Sequence, residues 1–117
     1  MTTATVTINV VPATLTFAAV ADTYVDSSTP SSNFGTATSL WADNSPTKQA
    51  FLRFAVSGLG NLTVQQAKLR MTVGSASASL SNSGGIVHSI TNNTWSEATT
   101  TYNTRPAVDG PTLASQA

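Results

Sequence analysis

Three cations, Arg53, Lys68 and Arg70, carry the most suggestive chemistry in this chain. Each takes a polar position in a segment that alternates apolar and polar side chains, so a strand built from that segment turns its cation away from the apolar face. If the two segments paired, three positive charges would meet on one sheet surface, which is unfavourable without a counterion. A carboxylate relieves such repulsion, and arginine can grip one through two parallel hydrogen bonds. The blander reading is that these side chains splay into solvent or pair with an aspartate or glutamate of a neighbouring strand. Trp41, Phe51, Trp95 and Tyr102 add flat apolar faces suited to stacking on the C–H face of a sugar ring. Alternation places Trp41 and Phe51 on the side of Asp43 and Arg53, opposite Leu40, Ala42, Leu52 and Phe54, whereas Trp95 suits a core better than a ligand site.

Asp22, Asp26 and Asp43 are candidate oxygen ligands for calcium, an ion that takes several carboxylate and carbonyl oxygens at about 2.3–2.6 Å. Their spacing fits no EF-hand loop, and turn or strand-end aspartates explain them equally well. Catalysis finds little footing. His88 is the single histidine and lies in an apolar run with no nucleophile motif beside it. Glu97 has no carboxylate partner that spacing alone can bring within reach. The chain therefore reads as non-catalytic.

The elements that must position these residues follow from composition and period. A chain of 117 residues has room for one domain with one modest core. Only 9% of residues are charged, against about 25% in ordinary soluble domains, and serine, threonine and asparagine fill the polar positions. Such a composition favours strands and turns, giving an all-β fold. Five basic and five acidic side chains balance, which offers no general attraction to nucleic acid or an anionic membrane. There is no cysteine, so neither a disulfide framework nor a thiolate metal site can form. No apolar run reaches the roughly 20 residues of a membrane span, and Met1-Thr2-Thr3-Ala4 lacks the basic and apolar regions of a signal peptide.

Residues 5–11, TVTINVV, alternate as a half-buried strand that Pro12 stops. Residues 1–16 are read as the C-terminal strand of a preceding immunoglobulin-like module plus a linker, with the first strand of the same domain as the other reading. Residues 17–117 then form the domain proper. Further strands are expected over 17–25, 39–43, 48–56, 67–73 and 86–90. In the third of these Ala50, Leu52, Phe54 and Val56 share the apolar face; in the fourth Ala67, Leu69, Met71 and Val73 do so. These two are expected to pair antiparallel, with Leu52, Phe54, Leu69 and Met71 buried. Residues 75–85 form a low-complexity loop, and 94–102 a longer polar segment. Turn signals every 8–12 residues mark a sandwich or barrel.

Four stretches stand out in order: ADTYVDSSTPSSNFG, KQAFLRFAVSGL, AKLRMTV and TWSEATTTYNTRP. Together they resemble the DNRLRE domain, also grouped as carbohydrate-binding module family 96, over roughly residues 19–107. The resemblance implies an antiparallel jelly-roll-like β-sandwich, truncated here, since family members continue with further strands beyond the NTRP-like stretch. It also implies a secreted or cell-surface modular protein with covalently linked neighbouring domains and a polysaccharide ligand, acidic and alginate-like in some members. The expected function is non-catalytic carbohydrate binding through Arg53, Lys68, Arg70, Trp41 and Phe51, without a required cofactor and with calcium as an option. The alternative is a structural spacer or adhesion module, suggested by the low charge and the abundant serine and threonine.

Overall fold

The computed structural model describes residues 3–8, 13–75 and 84–116. Its elements are β1 (Ala21–Asp26), β2 (Asp43–Asn44), β3 (Thr47–Arg53), β4 (Gly85–His88) and β5 (Thr112–Gln116). The fold is all-β, as composition and alternation predict. No helix occurs among the described residues, and so none long and apolar enough to cross a membrane. One antiparallel sheet has the order β1-β3-β2, and β4 pairs antiparallel with β5 in a second.

β1 extends because Thr23, Tyr24 and Val25 are β-branched or aromatic. It stops where the Asp26 carboxylate accepts the Ser28 amide at 2.8 Å and the Ser28 hydroxyl at 2.6 Å, a local side-chain turn that competes with the ladder. The register runs from Ala21 opposite Arg53 to Asp26 opposite Lys48. Directly opposed residues share a side of the sheet, so Ala21, Thr23 and Val25 stand with Gln49, Phe51 and Arg53. This face is the core. Val25 is fully buried, and Phe51 packs against Trp95 with ring centroids 6.1 Å apart at a 58° tilt, within the range aromatic pairs prefer. Ile90 and Tyr102 pack at its margin.

The alternation of β3 is as expected, but its phase is reversed. Phe51 lies 5% exposed in the core, while Phe54 lies 39% exposed beyond the strand end. The two phenylalanines fall on opposite faces of an extended chain, so either phase buries one of them. The ladder with β1 and the indole of Trp95 select Phe51. The strand expected over 67–73 forms no ladder, and Leu69 and Met71 are exposed. Its patterning is strand-like, yet β1 occupies one edge of β3 and β2 the start of the other, and among the described residues no neighbouring strand offers residues 67–73 the hydrogen bonds that make a strand.

Of residues 39–43 only Asp43 enters β2, which turns into β3 through a cis Ser45–Pro46 bond. The N-terminal alternation likewise finds no strand partner among the described residues: 3–8 join no ladder, and Val6 is 82% exposed. The remainder of that expected strand, 9–11, and most of the expected loop, 76–83, lie outside the described residues. β5, which alternation in TLASQ signals only weakly, pairs with β4 across an irregularity at Val87/His88.

Candidate functional site

The site is assembled by two loops that meet over the edge of β1. Asn33 donates its side-chain amide to the carbonyl oxygens of Glu97 and Thr100, both at 2.8 Å, and accepts the Gly35 amide at 3.1 Å. Glu97 in turn accepts the backbone N–H of Asp22 at 2.8 Å through Oε1, which caps the open edge of β1. Further along, the Asn103 amide N–H reaches the Pro30 carbonyl at 3.0 Å. Only glycine fits at position 35, because a Cβ there would lie 2.0 Å from the Glu97 carbonyl oxygen. This clamp holds residues 93–98 beside the sheet and seats Trp95, 6% exposed, on Phe51.

Arg53 closes the arrangement. It stands on the core side of β3, not on the outer surface that alternation suggested. Its Nη1 donates to the carbonyl oxygens of Asn93 at 3.0 Å and Trp95 at 2.7 Å, and its guanidinium lies 5.1 Å from the Trp95 ring centroid. A charged group is tolerated there because the backbone oxygens and the ring face compensate it. Beside it opens a cleft of about 530 Å³, bordered by Val20, Arg53, Asn93, Trp95 and Glu97. The cleft thus combines an aromatic edge, a fixed cation, a carboxylate and polar amide and hydroxyl groups.

The other expected residues are distributed differently. Phe51 is buried beneath Trp95 and offers no exposed platform. Lys68 and Arg70 lie exposed on the unpaired segment, so the three-cation hairpin surface does not form. Trp41 is half-buried on the opposite face from Arg53, with the Lys48 ammonium 5.0 Å from its ring. Lys48 also pairs with Asp26 at 3.6 Å. Sequence reasoning passed over Lys48 because a lone lysine at a strand start carries no motif.

Asp22, Asp26 and Asp43 share this second face, where Lys48 stands opposite both Asp26 and Asp43. The Asp43 carboxylate accepts the amides of Asn44 and Ser45. Among the described residues no group of three histidine, cysteine, aspartate or glutamate side chains is placed to hold a metal ion. The Ser28 hydroxyl and amide, and more weakly Lys48, hold the Asp26 carboxyl below its ordinary 3.8. The Thr91 hydroxyl and amide do the same for Asp109. His88 donates Nδ1–H to the Gly110 carbonyl at 3.3 Å, a tie between β4 and the approach to β5.

An aromatic edge beside fixed polar groups is the kind of surface that sugar binding uses. The chain is a member of carbohydrate-binding module family 96, whose family model matches residues 13–117. No curated protein and no solved structure matches it.

Proposed function

We propose that this chain is a non-catalytic module that binds acidic, alginate-like polysaccharide in the cleft beside Arg53. The observation that carries the reading is the Arg53 guanidinium, anchored by two backbone carbonyls at the cleft rim with its remaining N–H groups unpartnered among the described residues. A donor fixed in this way loses little freedom on meeting a carboxylate, which favours binding. Asn93, Thr94 and Ser96 supply hydroxyl and amide partners for sugar hydroxyls, and the exposed Lys68 and Arg70 add positive charge for a long polyanion. Trp41 beneath Lys48 is a second stacking surface on the other face. In this reading the two sheets are parts of a jelly-roll sandwich in a secreted or cell-surface modular protein, joined covalently to neighbouring domains. In this reading the chain binds its ligand without a cofactor.

Isothermal titration against alginate, pectate and a neutral glucan at two salt concentrations tests the proposal. Alginate should bind more tightly than glucan and weaken with added salt, because exposed charges are screened over about 8–10 Å. Arg53→Ala should remove most of that preference. Equal affinity for neutral and acidic chains overturns the acidic specificity, and unchanged alginate binding by Arg53→Ala removes the cleft.

A further inference from the structure

Arg53 and Glu97 border the same cleft and carry opposite charges. β1 runs between them. Arg53 stands on β3 opposite Ala21, whereas Glu97 takes the Asp22 N–H on the edge of β1 that no strand covers among the described residues. No ion pair joins the two among those residues, so each keeps hydrogen-bonding capacity for a third group.

Glu97 holds more than the fold asks of it. Oε1 accepts the Asp22 N–H at 2.8 Å, and the backbone carbonyl accepts the Asn33 amide at 2.8 Å. Gly35, where a Cβ would collide with that carbonyl, closes the loop over it. The cap on β1 needs one acceptor, which a neutral glutamine would supply equally well. The negative charge and the second oxygen are left over. Oε2 has no hydrogen-bond partner among the described residues, yet it is open to solvent: the one side-chain atom among them that is both buried and unpartnered belongs to Gln49. Glu97 is half-buried and held at its backbone and at its carboxylate. Oε2 is therefore a fixed acceptor, and a ligand meets it at little cost in side-chain freedom.

A carboxylate accepts hydrogen bonds and donates none, so its partner in the cleft must be a donor. A sugar hydroxyl is such a donor. An O-acylated one is not, because the ester oxygen carries no proton. We propose that Glu97 is a specificity-determining residue of the cleft, which requires a free hydroxyl at Oε2 and rejects chains acylated at that position. A site built to hydrogen-bond a hydroxyl discriminates steeply against a ligand that lacks it, since the acceptor is left unpaired as the ligand closes over it. This inference rests on the reading of the cleft as a glycan site. It does not rest on the charge of the glycan, because Glu97 meets the hydroxyl and Arg53 the acidic group.

Titration calorimetry with one alginate preparation, unmodified and densely O-acetylated, tests it. Acetylation leaves every carboxylate in place, and with it the attraction to Arg53. The unmodified polymer should bind more tightly by on the order of tenfold, the size of one hydrogen bond to a charged group. Glu97→Gln keeps the acceptor for Asp22, so its melting temperature should match the wild type. Its affinity for the unmodified polymer should fall by a similar factor, and its preference between the two forms should vanish. The sign of that change is informative, because losing a negative charge would by itself favour a polyanion. A wild-type chain that binds both forms equally overturns the role of Glu97 without recourse to any variant. So does a Glu97→Gln chain that keeps the preference, or that binds the unmodified polymer as tightly as the wild type. Neutral glucan, unmodified and acetylated, separates this inference from the reading it rests on. Equal affinity for alginate and glucan, with an acetylation penalty on both, defeats the acidic specificity and supports Glu97. An alginate preference that Arg53→Ala abolishes, with no acetylation penalty, supports the cleft and defeats Glu97. A wild-type chain that binds neither polymer defeats both.

Discussion

Residues 48–53 and 67–73 spell the same period-two alternation and end in opposite environments. The first becomes the central strand of a sheet, with Phe51 covered by Trp95; the second stands unpaired, with Lys68, Leu69, Arg70 and Met71 all exposed. The difference lies in what each segment finds beside it. β3 gains a six-residue ladder with β1 and an aromatic lid delivered by the Asn33–Glu97 clamp. An alternating segment buries its apolar face only when something else covers that face, because the hydrophobic gain scales with area removed from water.

The strongest way to break this contrast is truncation of the covered ring. Phe51→Ala should cost about 3–5 kcal/mol in denaturant melts, the range for a large aromatic removed from a packed core. A loss as small as that of a surface residue would mean that Trp95 does not cover it. The clamp comes next. Asn33→Ala removes three hydrogen bonds and should cost about 1–3 kcal/mol. Gly35→Ala should destabilise by a similar amount through overpacking against the Glu97 carbonyl. Either variant should also weaken alginate binding, since residues 93–98 wall the cleft; wild-type affinity in a destabilised Asn33→Ala chain would uncouple clamp from cleft.

On the uncovered side, Phe54→Ala and Met71→Ala should each change stability by less than about 1 kcal/mol, as surface substitutions do. A cost at Phe54 that matches Phe51 would show both faces of the strand buried and erase the contrast. The smallest effect is in acid. Asp26 and Asp109 have folded-state pKa values below the ordinary 3.8. Their contribution is therefore complete above the unfolded value and is lost as pH falls through the folded one. Unfolding midpoints should decline below about pH 3.8, and Asp109→Asn should flatten that acid limb. A limb of unchanged steepness would show that the Thr91 contact does not persist in solution.

Individual residues show how far the sequence could be read. Trp95 was legible as core, because a tryptophan in a compact β segment has few other places to bury its ring. Glu97 and Asn33 were visible only as parts of a family pattern; their roles are hydrogen bonds across 64 to 75 residues, which no local spacing encodes. Arg53 was legible as a candidate and misplaced by face, since the choice between Phe51 and Phe54 inverted the strand. Gln49 carried no signal at all: a glutamine in an alternating run looks solvated, whereas the register opposite Val25 puts it on the core side of β3.

By itself the sequence determined that this chain is all-β, low in charge and free of cysteine, and its four ordered stretches resemble a carbohydrate-binding family. Composition and period are properties of neighbouring residues, and they act before any long-range contact forms. The tertiary structure decided which face of β3 is inside, which cations face a cleft and which alternating segment becomes a strand. Alternation defines two faces without assigning either to the core. That assignment belongs to the covering group, here Trp95, which stands more than forty residues away from the strand it covers.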